Sequence, residues 1–299
     1  MTPYKPPNKT AAYLLFELAI SLMVLMVLMQ FLLPLLATAR QQTSNKINML
    51  DQLELKAAVM DHFQAQLSPI FRKACANGVN INIEIGPAEG VLPERINSKT
   101  LLAQSDWLLA SQNGLCSTPL VMSSLTPSLA LTCDWDAGDE VIFSSCDASA
   151  VGVVNEVSSS STSLRFSGGE LIGLSGVLLS QHPYIWYLAK GKSDNAFWRT
   201  PALSGSNSLE LWDGINYMSI YPLLDLDANG TLDNLTKEYG TYPLVQIKGL
   251  WFEMIVKQSA CEMDISSSPQ GVLTQYTNHR GLDWFYQQGC EFPLSFVVN

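Results

Sequence analysis

From Tyr13 to Thr38 the chain is apolar almost without interruption, and the one acid in that run is Glu17. About 20 apolar residues suffice to cross a bilayer as a helix, so this stretch commits the start of the chain to a membrane-length helix. A carboxylate inside such a helix costs roughly 2.5–3.5 kcal/mol near the centre on insertion scales. It therefore calls for a partner, and the run itself contains no cation. Pro34 lies in the same stretch without the N–H that a helix interior uses, which is a physical reason for a kink.

What flanks the run narrows the reading. Residues 1–12 carry Lys5 and Lys9 and no acid, and then come Ala12, Tyr13, three apolar residues and Glu17. This order resembles the class III signal of type IV prepilins and pseudopilins. The resemblance implies a leader peptide, 1–12, cut by a prepilin peptidase on the cytoplasmic side between Ala12 and Tyr13, with methylation of the new N-terminus at Tyr13. It also implies an assembly role for Glu17. When apolar helices of several subunits bundle, its carboxylate can pair with the N-terminal ammonium of a neighbouring Tyr13, which offsets part of both desolvation costs. The family usually has glycine before the cut, where this chain has Ala12. Two other readings compete. One is a secretory signal peptide ending at Ala37-Thr38-Ala39, although the apolar run is about twice the usual core and contains an acid. The other is a plain signal anchor oriented by the leader lysines.

The 299 residues hold 17 Lys+Arg against 27 Asp+Glu, a net charge of −10. No basic stripe with interleaved aromatics is present, so direct nucleic-acid binding is disfavoured. The length supports a transmembrane part, 13–38, and one substantial globular domain with its own core. Cys75, Cys116, Cys133, Cys146, Cys261 and Cys290 all follow the apolar run, and none forms a C-x-x-C pair. An even count outside the inner membrane suggests disulfides rather than zinc or redox chemistry. Many connectivities are open. Cys261 with Cys290 and Cys116 with Cys133 are preferred, and free buried thiols are the alternative.

Beyond the membrane, residues 39–68 read as an amphipathic continuation of the helix. Met49, Leu53, Ala57, Met60 and Leu67 recur at helical spacing and form the expected packing stripe. His62 is placed at the solvated edge, and Pro69 argues for a stop. Residues 69–299 then read as a β-rich globular domain. The segment 79–85 alternates strictly, and strands are expected at 140–144, 150–157, 163–167, 184–189, 216–221, 244–256 and 292–298. The serine cluster at 158–163 reads as a loop or hairpin tip. The expected architecture is α+β, a long N-terminal helix packed on an antiparallel sheet.

Later segments extend the resemblance. Ala137-Gly138-Asp139-Glu140-Val141-Ile142-Phe143-Ser144-Ser145-Cys146-Asp147 resembles a strand-plus-cysteine element of the PilW-type minor pilins. Three further stretches fit the same family in order: Tyr184–Leu188 followed by Phe197-Trp198-Arg199, then Leu209–Ile215, then Gly249–Val256. Each is also readable as ordinary core packing. The resemblance implies a pilin-like fold and a minor pilin that primes or promotes pilus assembly. Its implied partners are other minor and major pilins, the prepilin peptidase and the bacterial inner membrane. After assembly the globular domain would be periplasmic or extracellular. The alternatives are a J-type minor pseudopilin of type II secretion, whose relatives tend to be shorter, and a signal-anchored envelope protein that never polymerises.

One motif stands apart from this. Asp225, Asp227, Asn229, Thr231 and Asp233 occupy alternate positions around Gly230, as in the first nine positions of a calcium loop. The closing glutamate of such a loop is replaced by Thr236. Calcium is therefore a candidate ligand, and a metal-free Asp/Asn/Gly turn is the alternative. No other cofactor is implied. His62, His182 and His279 lack metal-ligand spacing, and no phosphate loop or nucleophile elbow is present, so no enzyme is expected.

Overall fold

A computed structural model describes residues 9–71, 81–130, 133–167, 169–203, 207–227, 229–258 and 272–299. The chain divides into two units, Met1–Ala57 and Ala58–Asn299. The first is built on helix α1 (Lys9–Leu67). Across Phe16–Thr43 its side chains are exposed, with Phe16, Leu25 and Phe31 at 65%, 50% and 68%. The stretch Phe16–Thr43 is long and apolar enough to cross a membrane, with mean hydropathy 2.4. Hydrocarbon suits that surface, because the helix satisfies its own backbone and needs no polar solvent. α1 continues through Pro34, and Thr38 Oγ1 donates to the Pro34 carbonyl (2.8 Å).

The second unit is dominated by strands. Among the described residues these are β1 (Asn82–Pro87), β2 (Asp106–Val121), β3 (Ser128–Ala130), β4 (Glu140–Ser144), β5 (Ser149–Val157), β6 (Ser161–Phe166), β7 (Ser175–Lys190), β8 (Asn195–Pro201), β9 (Leu209–Asp213), β10 (Ile215–Leu224), β11 (Asn234–Leu235), β12 (Gly240–Pro243), β13 (Ile247–Lys257), β14 (Leu273–Thr277), β15 (Asp283–Gln287) and β16 (Glu291–Val298). They form a ten-stranded sheet ordered β12-β1-β2-β7-β4-β5-β6-β3 with β8 and β9 branching from β7, a sheet β11-β10-β13-β16, and the separate pair β14-β15.

The long strands β2 and β7 pair from Leu108↔Trp186 to Val121↔Ser175, with an irregularity between Asn113 and Ser117. Each therefore serves two cores. Val177 to Gln181 of β7 pair with β4, while Tyr184 to Lys190 pair with β8. The first block packs Leu120, Val141, Phe143, Leu164, Phe166 and Leu178. Glycines there let aromatic rings lie flat across the sheet: a Cβ at Gly152 would run into Phe166, and one at Gly176 into Phe143. The second block buries Ile185, Trp186, Tyr187 and Leu188 in succession, as a strand covered on both faces does.

The last turns of α1 belong to the second unit. Val59, Phe63 and Leu67 are fully buried on one helical face. Phe63 stacks on Phe197 of β8 and meets Phe252 of β13 and Phe296 of β16 edge-on at 5.5 and 5.6 Å. Side chains of β2 satisfy carbonyls where the helix ends: Gln112 Nε2 donates to the Gln66 carbonyl, and Asn113 Nδ2 to that of Ile70 (3.2 Å). Arg199 Nη1 adds a bond to Gln66 Oε1 (3.2 Å).

This contact corrects the expected stripe. Leu67 is buried, but Met49, Leu53 and Met60 are 63%, 51% and 39% exposed. Ala57 is exposed as well. Periodicity identified an apolar face, whereas full burial begins at Val59 and takes the face centred on Phe63. His62 differs from expectation for the same reason. It is half-buried against Trp212 (ring centroids 5.3 Å), with Nε2 enclosed and unpartnered, and burial lowers its pKa.

Strands β4, β5, β7, β10 and β16 cover their expected segments, β6 ends at Phe166, and the expected strand 244–256 begins only at Ile247 because Leu244–Gln246 form a 3-10 turn. Ser158 turns the β5–β6 tip by donating Oγ to the Ser161 carbonyl (3.0 Å). Strand β2 was not anticipated. Its first half is buried without alternation, and Gln112-Asn113-Gly114 and Pro119 interrupt it with residues that usually mark turns.

Candidate functional site

Ala12, Tyr13 and Glu17 all lie within α1. Glu17 is exposed on the helix surface, and Ser21 Oγ donates to its backbone carbonyl (2.9 Å). Its carboxylate thus sits on the apolar stretch with that stretch's side chains around it, the geometry in which an outside cation is most valuable.

The Asp225 loop is compact. Carboxylate oxygens of Asp225, Asp227 and Asp233 lie within 4.8 Å of one another. Asp225 is fully buried, and the other two are exposed. Gly230 takes φ +91°, which a residue with a Cβ rarely adopts. Its N–H donates to Asp225 Oδ2 (2.9 Å), and that of Asn229 donates to Oδ1 (3.1 Å). Leu226 N–H donates to Asp233 Oδ2 (2.7 Å), and Thr231 N–H to Asn229 Oδ1 (2.7 Å). A positive charge already reaches the loop, since Lys248 Nζ sits 2.7 Å from Asp225 Oδ2. That bond holds the Asp225 carboxyl below the usual carboxylate range, against the opposing effect of desolvation. Oxygens in this arrangement suit a hard cation, and Lys248 competes for the same carboxylate.

The Cys116–Cys133 disulfide is present, with Cα atoms 5.9 Å apart, at the edge of the β4–β6 core. Cys146 and Cys290 are also disulfide-bonded. Cys75 and Cys261 lie outside the described residues, and with Cys261 so does the expected Cys261–Cys290 pair.

Sequence reasoning missed a buried polar cluster. Asp106, 2% exposed, accepts from Arg280 Nη1, Ile220 N–H (2.7 Å) and Tyr239 OH (2.9 Å). Burial pushes its carboxyl up to about 6, although the Arg280 charge and these bonds pull the other way. Glu253, 4% exposed, accepts from Tyr221 OH (2.7 Å), Tyr276 OH (2.8 Å) and His279 N–H (2.8 Å). Burial and the Glu253 charge push both phenols above their ordinary value. Every carboxylate oxygen in the cluster has a donor, so the arrangement suits holding the fold together rather than proton transfer. A signal did exist: Glu253 interrupts the apolar run Gly249–Val256, and an acid inside a buried strand needs partners.

The chain matches no protein-family model, no curated protein and no solved structure.

Proposed function

We propose that this chain is a minor pilin that primes or promotes assembly of a type IV pilus without catalysing a reaction. The observation that carries the reading is a helix whose exposed apolar stretch, Phe16–Thr43, holds a single acid near its start. A signal peptide or plain anchor has no use for that acid. A bundle of like helices does, because the neighbour's freed Tyr13 ammonium can neutralise it in a water-poor interior. The β-rich unit supports the reading in a coarser way, since the end of α1 docks on antiparallel strands through Phe63.

On this reading residues 1–12 are removed by a prepilin peptidase and Tyr13 is methylated. The protein waits in the bacterial inner membrane with its globular unit outside the cytoplasm, then joins other minor and major pilins. Mass spectrometry of the mature N-terminus is the test, and the expected result is a chain beginning at N-methylated Tyr13. A start at Arg40 would make the segment a secretory signal peptide, and retention of residues 1–12 would make it an anchor. A deletion strain that keeps its pili but loses exoprotein secretion would move the protein to the J-type pseudopilins.

A further inference from the structure

Hairpin β14–β15 is a sheet of its own, and among the described residues no backbone–backbone hydrogen bond joins Leu273–Gln287 to the larger sheets. Just outside the hairpin, Gln258 N–H donates to the Cys290 carbonyl (2.8 Å). Side chains make its holds on the body. Trp284, fully buried, stacks between Tyr217 (5.4 Å) and Tyr276 (5.8 Å). Asn278 Nδ2 donates to Ser219 Oγ (3.0 Å), and Tyr276 OH and His279 N–H reach Glu253. Arg280 makes the widest set: Nε to the Lys237 carbonyl (2.8 Å), Nη2 to that of Ile220 (2.7 Å), and Nη1 to Asp106. Its guanidinium also lies 4.5 Å from the Tyr221 ring centroid and 4.1 Å from that of Tyr239.

We propose that β14–β15 is a strap that opens and recloses as a unit, with Arg280 as its latch. Two features make opening cheaper than global unfolding. The ladders β10–β13 and β13–β16 need not break, because none of their bonds involves the strap. In addition, closing the strap removes the carboxylates of Asp106 and Glu253 from water, so opening recovers their hydration and offsets part of the lost contacts. Trp284 favours the closed form by burial.

Hydrogen exchange read by mass spectrometry on the full chain in detergent micelles tests this. In the wild type, cross-strand-bonded amides of β14–β15 should exchange about tenfold or more faster than those of β10 and β13. Arg280→Gln should speed the strap by a further ~tenfold, while β10 and β13 amides, which exchange through global unfolding, gain at most the same factor, so that the strap keeps its lead. Strap and body amides exchanging together in the wild type would overturn the proposal, whether or not the variant folds. So would an Arg280→Gln variant whose strap exchanges at the wild-type rate.

Discussion

Phe63 of the helix and Phe197 of β8 stack with ring centroids 4.3 Å apart and an interplanar angle of 18°. Phe63 also touches the central strand β13 and the edge strand β16 of the second sheet, so it is where helix and sheets meet. Phe63→Ala should cost about 3–5 kcal/mol of domain stability, the range for losing a buried aromatic. Leu53→Ala, at an exposed position, should stay within about 0.5 kcal/mol. Urea denaturation followed by tryptophan fluorescence compares the two, and equal losses would place the helix contact elsewhere.

Asp106 gives a pH dependence of definite sign. Its folded carboxyl keeps its proton up to about 6, against 3.8 as the ordinary value. Between those pH values the folded state binds more protons than the unfolded one, so this group's contribution to stability falls as pH rises through the window. Asp225 and Asp283 are held low, by Lys248 and Thr277 respectively, and act in the opposite sense. Their contribution is present above the ordinary carboxylate range and is lost as pH falls through the folded value. The stability difference between wild type and Asp106→Asn should therefore shrink from pH 4 to pH 6, on the order of 2–3 kcal/mol in all. A difference that grows over this range would contradict the assignment.

The Cys116–Cys133 bridge closes a loop with a sequence separation of 17. Replacing both cysteines by serine should cost about 3 kcal/mol, the loop-entropy figure for this length. The loss should be seen first as faster proteolysis of the β3–β6 block.

Lys248 separates two uses of the Asp225 loop. If the loop takes calcium, the ammonium on Asp225 competes with the ion. Lys248→Met should then show a larger calcium-induced rise in melting temperature, measured against chelator, than the wild type does. No rise in either protein would leave the loop as a turn held by lysine.

Glu17→Ala should insert in the membrane as well as the wild type, since it removes an expensive charge, and should reduce piliation. Normal piliation in that strain would remove the proposed pairing with Tyr13.

Much of the fold was legible where one residue type recurs with a fixed period. Val141-Ile142-Phe143, the β10 core around Met218 and Ile220, and Phe252 to Val256 announced strands because apolar β-formers cluster there between turn residues. Strand β2 was hidden because Gln112 and Asn113 look like loop residues until their amides are seen binding helix-end carbonyls. The buried polar cluster around Asp106 was hidden for a related reason. Asp106 and Arg280 are 174 positions apart, and no local pattern marks them as partners.

By itself the sequence determined the membrane-length helix and the cost of Glu17 within it, because hydropathy and charge are properties of the residues wherever they fold. It also determined that a β-rich unit follows. Only the tertiary structure decided that the helix docks through Phe63 rather than through Met49 and Leu53, and that Arg280 fastens β14–β15 over Asp106. Period sets the phase of an apolar face, but where that face finds a partner depends on surfaces brought together from distant parts of the chain.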